Sequence, residues 1–141
     1  MNEQEFKNYL DGRYDENIQK YNNRAKISYY AYTIFQWSLV ILSALTPALI
    51  LTEQVSKWIA VGVAVLVAIS SAALKTFKYQ ENWIRYRSTW HALNREKFFY
   101  EAGVQGYEKE KNKEALFVQR VESIIEQEAN EFVAEHKKQE Q

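Results

Sequence analysis

The chain has no cysteine, which excludes disulfides, thiolate metal sites and thiol catalysis. It has one proline and four glycines, too few turn formers for a sandwich or barrel of many short strands. Two histidines leave little room for a His-rich metal centre. Charge of one sign is also lacking, because 18 Lys and Arg stand against 18 Asp and Glu. A nucleic-acid binder held by bulk charge needs an excess of cations, so that class is set aside. Neither a Gly-rich phosphate loop nor a nucleophile motif is present. No catalytic, cofactor-binding or metal-ligating residue is assigned, and the chain is read as a non-enzyme. What it has in quantity is aromatic: 10 Tyr, 7 Phe and 4 Trp in a length that suits one domain. The remaining class is a protein of long helices.

The mean hydropathy of −0.48 averages two very different kinds of segment. Residues 29–51 read YYAYTIFQWSLVILSALTPALIL, 23 residues without one formal charge. As a helix this stretch spans roughly 34 Å, against a hydrocarbon core of about 30 Å. Residues 58–74, WIAVGVAVLVAISSAAL, are another 17 uncharged residues. At roughly 26 Å this helix is at the short end for a span, and Trp58, Lys75, Phe77 and Lys78 are placed to extend it as interfacial anchors. Only residues 52–57 join the two, enough for a tight connection between antiparallel helices. The pattern predicts a transmembrane hairpin. The competing reading is a soluble bundle with both apolar helices wrapped in protein. A helix apolar on every side needs complete cover, and 141 residues supply too little of it.

Lys and Arg near the spans set the orientation. Arg13, Lys20, Arg24 and Lys26 precede the first span, and Lys75, Lys78, Arg85 and Arg87 follow the second. The loop has Lys57, offset by Glu53. Both termini are expected in the cytoplasm, with the 52–57 loop outside. About 28 mostly polar residues before the first apolar stretch argue against a secretory signal peptide.

Three polar segments are expected to form cytoplasmic helices. In residues 1–28, Phe6, Leu10, Tyr14, Ile18, Tyr21 and Ala25 keep one apolar stripe, locally weakened by Gly12. Residues 75–102 extend the second span, with no strong breaker from Val55 to Ala102. Their seam is Tyr79, Trp83, Tyr86, Trp90, Leu93, Lys97 and Tyr100, at alternating steps of four and three. Gly103 and Gly106 end that helix. Residues 107–137 form a last amphipathic helix on Val118, Val121, Ile125, Ala129 and Phe132, folding back on the seam, with the terminal HKKQEQ frayed. The expected architecture is all-α, residues 1–141 forming a single domain. A two-helix transmembrane hairpin continues into a cytoplasmic antiparallel helical bundle.

Within the spans, Ala60, Ala64, Ala68 and Ala72 recur every fourth residue. Small residues at that spacing let helices approach closely in lipid, within the hairpin or between subunits. Thr33, Gln36, Val40, Ser43 and Pro47 share one face of the first span. An amide in hydrocarbon is costly, so Gln36 either meets another helix or water, or sits near the headgroups. The face lines a water-filled pathway in the first case. In the second, Ser43 and Thr46 bond to their own helix backbone. The spans contain no charge, which weakens an ion-coupled transport reading and suits a passive pore or an anchor. His91 and His136 are isolated. Glu122, Glu126, Glu128 and Glu131 read as a solvated face. The Trp83-Ile84-Arg85-Tyr86-Arg87 cluster either touches anionic headgroups or a nucleotide, or packs within the bundle with Arg85 or Arg87 pairing to acids of another helix.

A resemblance follows from the order of these parts. Tyr9-Leu10, Arg13, Gln19, Tyr21 and Lys26 precede the first span. Trp83-Ile84-Arg85-Tyr86-Arg87, Leu93, Glu96-Lys97, Tyr100, Gly106-Tyr107, Phe117, Val121, Glu122 and Ile125 follow the second. Around a tight hairpin, this order resembles the SLATT superfamily, the two-transmembrane effector domains of bacterial conflict systems. The resemblance implies a multi-pass protein of the bacterial inner membrane. It implies a pore-forming or membrane-perturbing effector, beside nucleotide-sensing or nucleotide-making partners. With no sensor domain in the chain, a partner would supply the trigger. The expected partners are the lipid bilayer, further copies of the chain in a homo-oligomer, and a cytoplasmic protein, with no nucleic acid. The alternative function is a non-conducting scaffold or anchor whose bundle recruits partner proteins.

Overall fold

A computed structural model describes residues 1–52 and 56–139, the side chain of Gln139 excepted. Helix starts follow from local side chains. Asn2 caps α1 (Glu3–Tyr9) by accepting the Glu5 N–H at 2.7 Å, and the Glu5 carboxylate accepts the Asn2 N–H at 2.9 Å. A π-helical turn, Leu10–Tyr14, then carries Gly12 before α2 (Asp15–Leu51) begins. The weak point read at Gly12 is thus a widened turn in an otherwise continuous helical path. Pro47 lies inside α2, where its ring removes a backbone hydrogen bond. Next to it the Thr46 hydroxyl donates to the Leu42 carbonyl at 2.8 Å.

The helix expected to run unbroken from Val55 to Ala102 is two helices, α3 (Lys57–Phe77) and α4 (Tyr79–Ala102). Lys78 between them is left-handed, at φ 46° and ψ 40°. Such a backbone costs a non-glycine residue roughly 1–2 kcal/mol. Asn82 holds the break, its amide donating to the Phe77 carbonyl at 3.1 Å and its N–H to the Lys78 carbonyl at 3.0 Å. No proline or glycine announces the site. Val55, Glu53 and the middle of the expected 52–57 loop lie outside the described residues, as do the last two residues of the tail.

After α4 the chain turns through Gly103 and Gly106, both at positive φ. The last helix, α5 (Lys113–Gln139), begins later than the expected residue 107, because Asn112 caps it through the Ala115 N–H at 3.1 Å. Tyr107 instead belongs to the turn, with its ring fully buried.

The chain is all-helical, with no strand among the described residues, and divides into two compact units. One comprises Met1–Ala25 with the chain from Ile84 onward, and the other Lys26–Trp83. The first is a three-helix bundle whose directions can be read from its contacts. Against α4, Phe6 meets Tyr100, Tyr14 reaches Leu93 and Tyr21 meets Tyr86, so the N-terminal helix runs antiparallel to α4. Against α5, Phe6 meets Phe117, Arg13 meets Glu122 and Tyr21 meets Glu128, so those two run parallel. The core is Phe6, Tyr14, Tyr21, Ala25, Tyr86, Leu93, Tyr107, Phe117 and Val121. Full burial of a Phe or Leu side chain is worth roughly 1.5–3 kcal/mol. The second unit pairs the later part of α2 with α3 and the first turn of α4. Phe35 stacks on Tyr79 at 5.8 Å and Tyr29 meets Trp83 at 5.3 Å, again an antiparallel pairing.

Candidate functional site

Tyrosines taken wholly or partly out of water need partners for their hydroxyls. In the bundle unit three of them end on carboxylates that also hold an arginine. Tyr9 donates to Glu122 Oε1 at 3.0 Å, and Arg13 grips both oxygens of Glu122 at 2.5 and 2.6 Å. Tyr21 donates to Glu128 Oε2 at 3.1 Å, while Arg85 Nε lies 3.4 Å from Oε1 and the same guanidinium bonds to Glu135. Tyr107 donates to Glu96 Oε1 at 2.6 Å, and Arg120 reaches that oxygen at 3.1 Å and the Gln105 carbonyl at 3.0 Å. Each clasp ties together at least two of the N-terminal helix, α4, α5 and the turn before α5. Tyr14 takes a different acceptor, the Leu93 carbonyl at 3.0 Å.

The electrostatics follow from these contacts. Burial pushes the Tyr9, Tyr21 and Tyr107 phenols above their ordinary range, and the adjacent carboxylates push them the same way. Tyr14 is pushed up to about 12, chiefly by burial. The Arg13 hydrogen bonds hold the Glu122 carboxyl below its usual value. Phenols stay protonated and donate, while Glu122 stays ionised and accepts. With phenols and guanidiniums occupying their oxygens, these carboxylates act as fasteners between helices. Arg85 also lies over the Tyr86 and Phe132 rings, at 5.1 and 5.3 Å.

The sequence pattern located part of this arrangement. Of the seam on α4, Tyr86 and Leu93 are buried, and Tyr79, Trp83, Trp90, Lys97 and Tyr100 are half-buried. Thr89 and Glu96 are buried on the same side. On α5 the covered face differs from the expected one. Phe117, Val121 and Glu128 are buried, whereas Ala129 and Phe132 are exposed. Glu126 and Glu131 are solvated as expected, but Glu122 and Glu128 face partners on other helices. The signal was available in two forms. Val121, Glu128 and Glu135 fall seven residues apart, and the tyrosines on an apolar stripe demanded acceptors. Arg85 pairs with acids of α5. Arg87 lies over the Trp90 ring at 5.3 Å and reaches Asn22 at 3.4 Å. His91 sits edge-on to Trp90, and His136 sits over Phe132.

The second unit is arranged differently. Phe35, Leu39, Leu42, Thr46 and Leu49 form the partly covered side of α2. Gln36, Val40, Ser43 and Pro47 are exposed, and Thr33 is half-buried. On α3 the covered side is Val63, Val67, Ser70 and Leu74, with Ser70 the most buried. Ala60 is half-buried, while Ala64, Ala68 and Ala72 are exposed. Most large aliphatic and Trp side chains of this unit point outward as well. Ile34 is 64% exposed, Trp37 62% and Trp58 82%.

Bundle and apolar pair together define a class: an all-helical protein with two helices long and apolar enough to cross a membrane, by length and composition. The family model described as protein of unknown function (DUF4231) matches residues 16–115, well over half of the chain, and the chain belongs to that family. The matched stretch covers nearly all of α2, all of α3 and α4, and only the first turn of α5. Comparison with curated proteins and with solved structures gives no match.

Proposed function

We propose that the chain is a two-span membrane protein with both termini in the cytoplasm, and that copies of it assemble into a pore or a membrane-perturbing effector. The observation that carries this is the exposure of the apolar pair. No residue in the most apolar stretch of α2 is buried, and Ser70 is the one buried residue of α3. A water-soluble protein rarely leaves so large a contiguous apolar surface open, and lipid is the solvent that suits it. Lys and Arg on the polar flanks of both apolar stretches support cytoplasmic termini.

Assembly is supported by the outward polar groups. Gln36 and Ser43 are exposed on a helix whose other outward residues include Ile34, Trp37, Val40, Ile41 and Leu45. An amide facing hydrocarbon leaves its hydrogen bonds unmade, so this strip is better placed against another copy or a water-filled path. The exposed Ala64, Ala68 and Ala72 supply a second surface for close approach between copies. The resemblance to SLATT effectors agrees with a membrane-active role.

Ion flux through reconstituted liposomes tests the reading. Wild-type protein is expected to conduct, and Gln36→Leu to change the flux while the assembly size is kept. Unchanged flux in Gln36→Leu removes this face from the pathway. No flux in the wild type leaves the non-conducting anchor. A chain that stays monodisperse in plain buffer without detergent overturns the membrane reading altogether.

A further inference from the structure

Between the last turns of α2 and the first turns of α3 the apolar unit has an open groove of about 410 Å³. Leu49 and Ile50 line it from one helix, and Ala60 and Ala64 from the other. Thr46 also lines it, with its one hydroxyl proton donated to the Leu42 carbonyl. At one end stands Lys57, the one charged residue among the described residues lining the groove. Trp58, next in the chain, is 82% exposed, as an interfacial aromatic side chain would be.

We propose that this groove holds one acyl chain of an anionic phospholipid, with the lipid phosphate on the Lys57 ammonium. The inference rests on the two-span reading above. Alanines at 60 and 64 leave a hollow that larger side chains would have filled, and its walls offer water almost nothing to bond. In a bilayer such a trough takes a hydrocarbon chain. A second copy's aliphatic side chains would also fill it, but would give Lys57 no counter-charge. A lipid phosphate accepts hydrogen bonds from the ammonium while the acyl chain on the same molecule fills the hollow, so one lipid satisfies both ends of the groove.

The test uses the full chain, extracted from membranes in mild detergent and weighed intact by native mass spectrometry. It is then reconstituted in nanodiscs of phosphatidylglycerol or phosphatidylcholine and weighed again after release. Each protomer is expected to retain one phosphatidylglycerol in preference to phosphatidylcholine. Lys57→Gln is expected to cut that preference about fivefold, the share of one basic residue at an anionic surface. The double substitution Ala60→Leu with Ala64→Leu fills the hollow and is expected to abolish retention. Equal retention of both lipids by the wild type overturns the proposal without any variant, and so does a filled groove that keeps its lipid. Detergent-extracted protein that carries no lipid overturns this proposal alone. Protein that purifies without detergent overturns it together with the two-span reading.

Discussion

In the bundle unit the tyrosines point inward, and Tyr9, Tyr21 and Tyr107 meet acids, whereas in the apolar unit most of the isoleucines and two of the three tryptophans, Trp37 and Trp58, are exposed. Both units are helical and rich in aromatic residues, so composition does not separate them. What separates them is where the polar groups lie. The bundle takes acidic side chains into its interior, at Glu96 and Glu128, and matches each with a phenol and a guanidinium. The apolar pair keeps Gln36 and Ser43 on its outside, among side chains that avoid water. A unit that packs in water hides its apolar groups and matches its buried polar ones. On the two-span reading proposed above, the apolar unit has lipid around it and no reason to hide them.

That contrast can be broken most sharply by core truncation. Phe117→Ala is expected to destabilise the bundle by about 4 kcal/mol, because it removes a fully buried ring at the junction of Phe6, Tyr14 and Tyr100. Leu66→Ala, at an exposed position of α3, is expected to cost less than about 1 kcal/mol. Thermal melts in detergent, followed by circular dichroism, compare the two. A large loss at Leu66 would mean that this side chain is buried against another copy.

The next contrast lies between two acids of one helix. Glu128→Ala is expected to cost about 3 kcal/mol, since it strips Tyr21 of its acceptor and Arg85 of one carboxylate in a buried setting. Glu126→Ala, two residues away on the opposite side of the helix and exposed, is expected to stay within about 0.5 kcal/mol. Equal effects in the same melts would deny the clasp its role.

The smallest effect is the pH dependence, which belongs to the bundle. Tyr14 has its folded value raised from 10.0 to about 12, so the stability it contributes is complete below pH 10 and is lost as the pH rises toward 12. Glu122 has its folded value lowered by Arg13, so its contribution is present above the ordinary carboxylate range and is lost as the pH falls through the lowered value. Melting temperature against pH is expected to fall at both extremes, with the alkaline limb flattened in Tyr14→Phe. An alkaline limb unchanged in that variant would remove Tyr14 as its source.

Helix type and the two apolar stretches were determined by the sequence itself. Periodicity reports which side of a helix avoids water, so Phe6, Tyr14, Tyr21 and Ala25 could be picked out as one inward stripe, and Leu93 and Tyr86 as part of another. The uncharged runs are equally plain, because helix length and charge are local properties. Other features were decided only by the tertiary structure. The inward turn of Glu96, Glu122 and Glu128 depends on phenols and guanidiniums, some of them more than a hundred residues away. A charged side chain alone in a periodic pattern reads as solvated. The break at Lys78 depends on the Asn82 side chain reaching back to Phe77, with no proline or glycine to mark it. Local pattern records the preference of one side chain for water or oil, whereas a matched buried charge is a property of two or three side chains that only the fold brings together.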